Sequence, residues 1–141
     1  MPNVEGSIIL ALLALGSSLS QALPGNDYRC RIERVYGTEP DESPVVASER
    51  KRTVGSEFTV ERRTGVLAGA LKNAFATQPV VIDAGSRDNS FKAVTTMRLD
   101  QGAGRGSSVY TLVVKEYVDS SKKPFVFLSD DIVYFGTCAH F

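Results

Sequence analysis

A chain of 141 residues has the length of one domain, and its 43% apolar and 23% charged residues exclude a disordered or collagen-like polymer. Lys plus Arg number 16 and Asp plus Glu number 16, so the chain lacks the basic excess that marks most nucleic-acid-binding domains. A domain of this size buries roughly two-thirds of the surface its unfolded chain exposes, enough for a real core.

The chain begins MPNVEG and then runs IILALLAL from Ile8 to Leu15. That apolar run is too short for a bilayer span, which needs about 20 residues. It fits the core of a secretory signal peptide. Ser20 and Ala22 supply the small-x-small cleavage pattern, which predicts a leader over 1–22, cleavage after Ala22 and a single domain over 23–141. The segment before the run carries Glu5 and no Lys or Arg, which keeps a signal anchor or a misassigned start as alternatives.

Tyr28, Cys30 and Ile32 alternate with Arg29, Arg31 and Glu33, the pattern of a first strand with one apolar face. Gly37 to Pro44, with two prolines and three acids, reads as a loop. Arg50-Lys51-Arg52 is the densest basic cluster. It could meet an anionic surface, but solvated loop or helix-face charge is the expected reading. Val60 to Ala76 is the one helical candidate, with Val60, Leu67, Leu71, Ala74 and Phe75 able to share a face and Pro79 to stop it. Gly65 and Gly69 each oppose a helix by about 1 kcal/mol. The rival is a strand through Phe58 and Val60 followed by a turn.

From Val80 on the pattern is β. Val80-Val81-Ile82 reads as a short strand, Gly85 to Ser90 as a turn, and Phe91 to Leu99 as a half-buried strand. Gln101 to Ser107 is a Gly-rich loop, and Ser108 to Val118 a long strand. Asp119 to Lys123 is a polar turn. Phe125 to Leu128 and Ile132 to Cys138 are strands joined by a turn at Asp130-Asp131. One helix with a run of hairpin-linked strands predicts an α+β fold, the helix packed on one face of an antiparallel sheet. A pure β-barrel is the runner-up.

The two cysteines, Cys30 and Cys138, lie near the ends of the mature chain. An even count in an exported protein predicts a disulfide, with two free thiols as the alternative. A bridge requires Cα atoms within about 7 Å, so the first and last strands should be neighbours.

The leader, the Tyr28-Arg29-Cys30 aromatic-x-Cys motif, one helix, a β-rich second half and the late Cys138 together resemble the ribonuclease-like secreted effectors of powdery-mildew fungi. The resemblance spans nearly the whole mature chain. It implies a fold similar to small fungal ribonucleases with the catalytic residues lost. It also implies delivery into plant cells, binding of host protein or RNA, and detection by immune receptors. Only Tyr28, Cys30 and Cys138 carry over, as structural residues.

No catalytic, cofactor or metal motif stands out. Ribonuclease chemistry needs a general acid and base, and His140, the single histidine, sits where chain ends usually fray into solvent. It also lacks companions for a metal. Gly102, Gly104 and Gly106 precede a strand rather than the helix a dinucleotide site needs. They read as a hairpin tip with Arg105 as its charge. Asp130-Asp131 point to opposite sides of a strand and read as a turn. Tyr110, Tyr117, Phe125, Phe127, Tyr134 and Phe135 cluster late. An outward subset could stack on a base or a protein. Three function classes follow: a non-enzymatic secreted effector, an active secreted ribonuclease, and a small-ligand carrier.

Overall fold

Alternating side chains force a strand to present two faces, and this chain does so repeatedly. In the computed structural model, which describes residues 26–39 and 43–141, the order is β1 (Tyr28–Gly37), α1 (Pro44–Thr53), β2 (Glu57–Val60), β3 (Leu67–Gly69), β4 (Val80–Ala84), β5 (Phe91–Met97), a 3-10 turn (Leu99–Gln101), β6 (Ser108–Val114), β7 (Lys123–Ser129) and β8 (Ile132–His140). The expected leader over 1–22 lies outside the described residues. Among those described, no helix is long and apolar enough to cross a membrane.

The strands form one sheet in the order β3-β2-β1-β8-β7-β6-β5-β4, with every neighbouring pair antiparallel. Tyr28, Cys30 and Ile32 of β1 share a single core with Phe58, Leu67, Phe91, Leu112, Phe127 and Tyr134 of other strands. A sheet whose one face converges in this way is rolled. Each fully buried aromatic or aliphatic side chain adds about 1.5–3 kcal/mol to that core. The β2–β3 turn leans back toward β4 and β5. Arg62 donates to the carbonyls of Ala84 and Gly85 at 2.7 and 2.9 Å, and a Cβ on Gly65 would lie 2.9 Å from that of Ala93. The sheet thus approaches the barrel alternative, yet β3 and β4 remain its two edges.

The first and last strands are hydrogen-bonded neighbours, and the disulfide joins them. Cys30 faces Cys138 in register, their Cα atoms 3.9 Å apart. Gly136, also on β8, has no room for a side chain, because a Cβ there would fall 1.9 Å from the Arg31 carbonyl oxygen.

Two sequence expectations are corrected. Val60 to Ala76 is not helical: β2 ends at Val60, a turn follows, β3 spans Leu67–Gly69 and an irregular segment runs to β4. The glycines decide it. Gly65 and Gly69 adopt φ of +76° and +117°, left-handed conformations that only glycine holds cheaply. The α-helix lies instead over Pro44–Thr53, partly within the expected 37–44 loop and its basic sequel. Ser43 caps it, its Oγ accepting from the Val46 amide at 3.3 Å, and Pro44 begins it. It buries only Val46 and Thr53. It therefore docks beside the Gly37 end of β1, where Val46 fills the space a Cβ on Gly37 would need, rather than covering a sheet face.

Candidate functional site

Antiparallel register sorts the side chains to two ends of the roll. Tyr28, Phe91 and His140 lie at one end, and Gly37, Tyr110, Ser129 and Ile132 at the other.

At the first end, His140 faces Tyr28 across β1 and β8, with ring centroids 4.9 Å apart. It is paired strand, not the frayed terminus the sequence suggested. Its Nε2 lies 2.9 Å from Glu116 Oε1. The Tyr28 hydroxyl donates to Glu116 Oε2 at 2.7 Å, and the Arg62 guanidinium sits 5.4 Å from the Tyr28 ring centre. Burial alone would raise the Glu116 pKa. The hydrogen bonds from Tyr28 and His140, with the nearby positive charge, outweigh it and hold the carboxyl below its ordinary range. Burial, reinforced by the bond to Glu116, pushes the Tyr28 phenol well above its ordinary range. The Glu116 side chain is only 14% exposed, and both its oxygens are engaged within the fold.

The first end also borders a cleft of about 600 Å³, lined by Arg87, Glu116, Tyr117, Val118, Asp119 and Lys123, and the other end is open as well. A cleft of about 610 Å³ lies between α1, the segment after β3, and the ends of β6, β7 and β8. Its aromatic side is a chain of rings: Phe75 to Tyr110 at 5.3 Å, Tyr110 to Phe127 at 6.5 Å, and Phe127 to Tyr134 at 5.8 Å. Phe75 is 50% exposed. The segment that presents it is anchored by Asn73, which is buried. Asn73 Oδ1 accepts from the Leu67 amide and its Nδ2 donates to the Gly65 carbonyl, both at 2.9 Å.

Charge enters from α1. Glu49 accepts two bonds from Arg52 Nη2 at 2.6 and 2.8 Å and one from the Tyr134 hydroxyl at 2.7 Å. Burial opposes its ionisation, but these partners prevail and lower its pKa. The basic cluster, expected as solvated loop or helix-face charge, lies on α1 with its three side chains in different surroundings. Arg52 faces the cleft, Arg50 donates to the Val35 carbonyl at 3.1 Å, and Lys51 is exposed. Lys72, also on the cleft wall, makes no ion pair among the described residues.

The remaining candidates fall away from both ends or into structural roles. Gly104 and Gly106 stand in open space, where a Cβ would meet nothing within 4 Å. Asp130 takes a left-handed turn at φ 52° and clasps Val109, its amide donating to the Val109 carbonyl at 3.0 Å and its Oδ1 accepting from the Val109 amide at 2.8 Å. Phe135 points outward beneath Arg34 at 5.3 Å, whereas Tyr134 is buried. No group of three potential metal-ligating side chains gathers among the described residues. Sequence reasoning singled out Tyr110 and Tyr134 but missed Glu49, Lys72, Phe75 and Glu116. An isolated phenylalanine in an Ala- and Gly-rich stretch was the one available signal. No protein-family model, curated protein or solved structure matches this chain.

Proposed function

We propose that this chain is a secreted effector of a plant-pathogenic fungus, with a catalytically inactive ribonuclease-like fold, which acts inside the host cell. It binds a host protein or RNA through the cleft between α1 and the ends of β6–β8, and it is open to detection by plant immune receptors. The leader at Ile8–Leu15, the Tyr28-x-Cys30 motif bridged to Cys138, and the order strand, helix, antiparallel strands support the effector reading. The observation that carries the binding role is the half-exposed Phe75 in contact with Tyr110 on the wall of this cleft. The cleft at the Tyr28 end is of similar volume but is lined by Arg87, Glu116, Tyr117, Val118, Asp119 and Lys123, and its Glu116 is bonded to His140 and Tyr28.

Capture from plant extract by the mature oxidised protein, with and without nuclease treatment, tests this reading when wild type is run beside Tyr110→Ala and Phe75→Ala. Binding should fall in both variants. Equal recovery of the same partner by all three proteins would remove the cleft from the function.

Active ribonuclease is the second reading, favoured by one observation: a glutamate, a histidine and an arginine meet at the Tyr28 end. Acid–base cleavage requires the two groups to address a phosphate from different sides, whereas Glu116 and His140 are bonded to each other at 2.9 Å. Turnover of single-stranded RNA that is lost in both Glu116→Gln and His140→Ala would establish the enzyme instead.

A further inference from the structure

We propose that the cleft receives an extended segment of a partner protein, one that inserts a large aromatic or aliphatic side chain flanked by carboxylates. This rests on the reading of the cleft as the contact site and names the chemistry of what fills it.

Charge within the cleft is the first argument. Glu49 is neutralised by Arg52 and further bonded by Tyr134. Lys72 has no ion-pair partner among the described residues, so it leaves the cleft one positive charge in excess. The Tyr110 hydroxyl likewise makes no hydrogen bond among them and stands ready for a polar group. A carboxylate beside an apolar anchor matches this set.

The shape of the apolar wall is the second. Phe75 and Tyr110 are already in contact at 5.3 Å and 36°, so a planar base cannot slide between them. A side chain can pack against the exposed flank of Phe75, with Leu71 and Ile132 as its other walls. Single-stranded nucleic acid is held by a charged track along its phosphates, and one spare lysine in a chain of zero net charge is not a track.

The third argument is backbone. β3 is an edge strand of the sheet whose Gly69 reaches the cleft wall, while its Leu67 amide is already taken by Asn73 and the Ala70 amide by the Glu57 carbonyl. Sheet edges recruit extended peptides through main-chain hydrogen bonds, with pockets for alternate side chains. The segment is also held in advance by Asn73, which reduces the ordering cost of binding.

The test is fluorescence anisotropy with three labelled probes: a capped peptide with a central phenylalanine flanked by glutamates, its lysine-flanked counterpart, and a uridine oligonucleotide. The acidic peptide should bind best, by about threefold to fivefold over the basic one, the effect of one partly exposed ion pair. Lys72→Glu should invert that order, and Phe75→Ala should weaken both peptides by about tenfold, as for an interface anchor. Lys72 is exposed and Phe75 half-exposed, and melting curves verify that both variants fold. Equal affinity for the two peptides, a preference unmoved by Lys72→Glu, or tighter binding of the oligonucleotide that is lost in Phe75→Ala would overturn the proposal. If neither peptide binds while capture from extract still requires Phe75, the peptide chemistry is wrong and the cleft reading stands. If capture ignores Phe75, the cleft reading itself falls.

Discussion

The hydroxyl of Tyr28 donates to Glu116 Oε2 at 2.7 Å across 88 positions of sequence. It fastens the first strand to the segment that leaves β6. Tyr134 and Glu49 repeat the arrangement at the opposite end, 2.7 Å apart and 85 positions distant. Each end of the rolled sheet is therefore tied by a phenol–carboxylate bond, and each carboxylate is further held by a basic side chain, His140 or Arg52. The tyrosine of the aromatic-x-Cys motif has a physical role here. It fills the core beside the disulfide and supplies a polar tip that reaches the far side.

Glu116→Gln should flatten the acid limb of stability. The folded-state pKa of Glu116 is lowered relative to an unfolded carboxyl near about 4.3. Its contribution is therefore present above that value and lost as pH falls through the folded one. Urea midpoints measured on acidification should drop more steeply for wild type than for the variant. Identical slopes would show that the bonds to Tyr28 and His140 contribute nothing to the pH dependence.

Removing the disulfide should lower the melting temperature. The bridge closes a separation of 108 residues, for which the chain-entropy model gives about 4–5 kcal/mol as an upper figure. Cys138→Ala should melt below oxidised wild type and close to reduced wild type. Thiol titration of native, unreduced protein should find no free thiol. Two reactive thiols per chain would refute the pairing.

The reach of the sequence depended on the range of the forces. Strands β5 to β8 were legible because alternation is a two-residue signal: Phe91, Ala93, Thr95 and Met97 are buried, and Lys92, Val94 and Thr96 are less so. Val60, Leu67, Leu71 and Phe75 fall at helical spacing by coincidence, and the backbone demands of Gly65 and Gly69 outweigh that pattern. The true helix was hidden because it has almost no apolar face: Val46 is its one buried hydrophobic residue, and caps at Ser43 and Pro44 define it. The cleft could not be read at all. Glu49, Lys72, Phe75, Tyr110 and Ile132 meet only after the sheet has rolled. His140 was misjudged for the same reason, since its partner Glu116 comes from a different strand end.

Hydrogen exchange should be fastest, among internal segments, over Gln101 to Ser107. Gly102, Gly104 and Gly106 all hold positive φ, and side chains built on the last two would touch nothing within 4 Å. A tip without packing opens at little free-energy cost. Gly104→Pro would conflict with its φ of +79°, so Gly104→Asn, which tolerates that region, is the suitable probe. Protection across this tip equal to that of β6 would mean it is packed structure.

Asn73→Ala should weaken the protein and the cleft together. Asn73 is 2% exposed and joins the Leu67 amide to the Gly65 carbonyl. Truncation leaves a buried donor and a buried acceptor without their partner, each costing about 1–3 kcal/mol if water cannot reach it. The same bonds fix the segment that carries Lys72 and Phe75, although Asn73 does not line the cleft. Affinity for the acidic peptide should therefore fall even at temperatures where the variant is fully folded. Asn73→Asp separates the two bonds: it keeps an acceptor for the Leu67 amide but, once ionised, offers the Gly65 carbonyl no donor. It should be destabilised at neutral pH and recover partly on acidification, when a protonated carboxyl can donate again. Urea unfolding of both variants, with exchange of the Leu67 amide as the local readout, checks this. A loss below about 0.5 kcal/mol in Asn73→Ala, the range of ordinary surface substitutions, would show that the segment is held by Leu71 and its neighbours rather than by the buried amide.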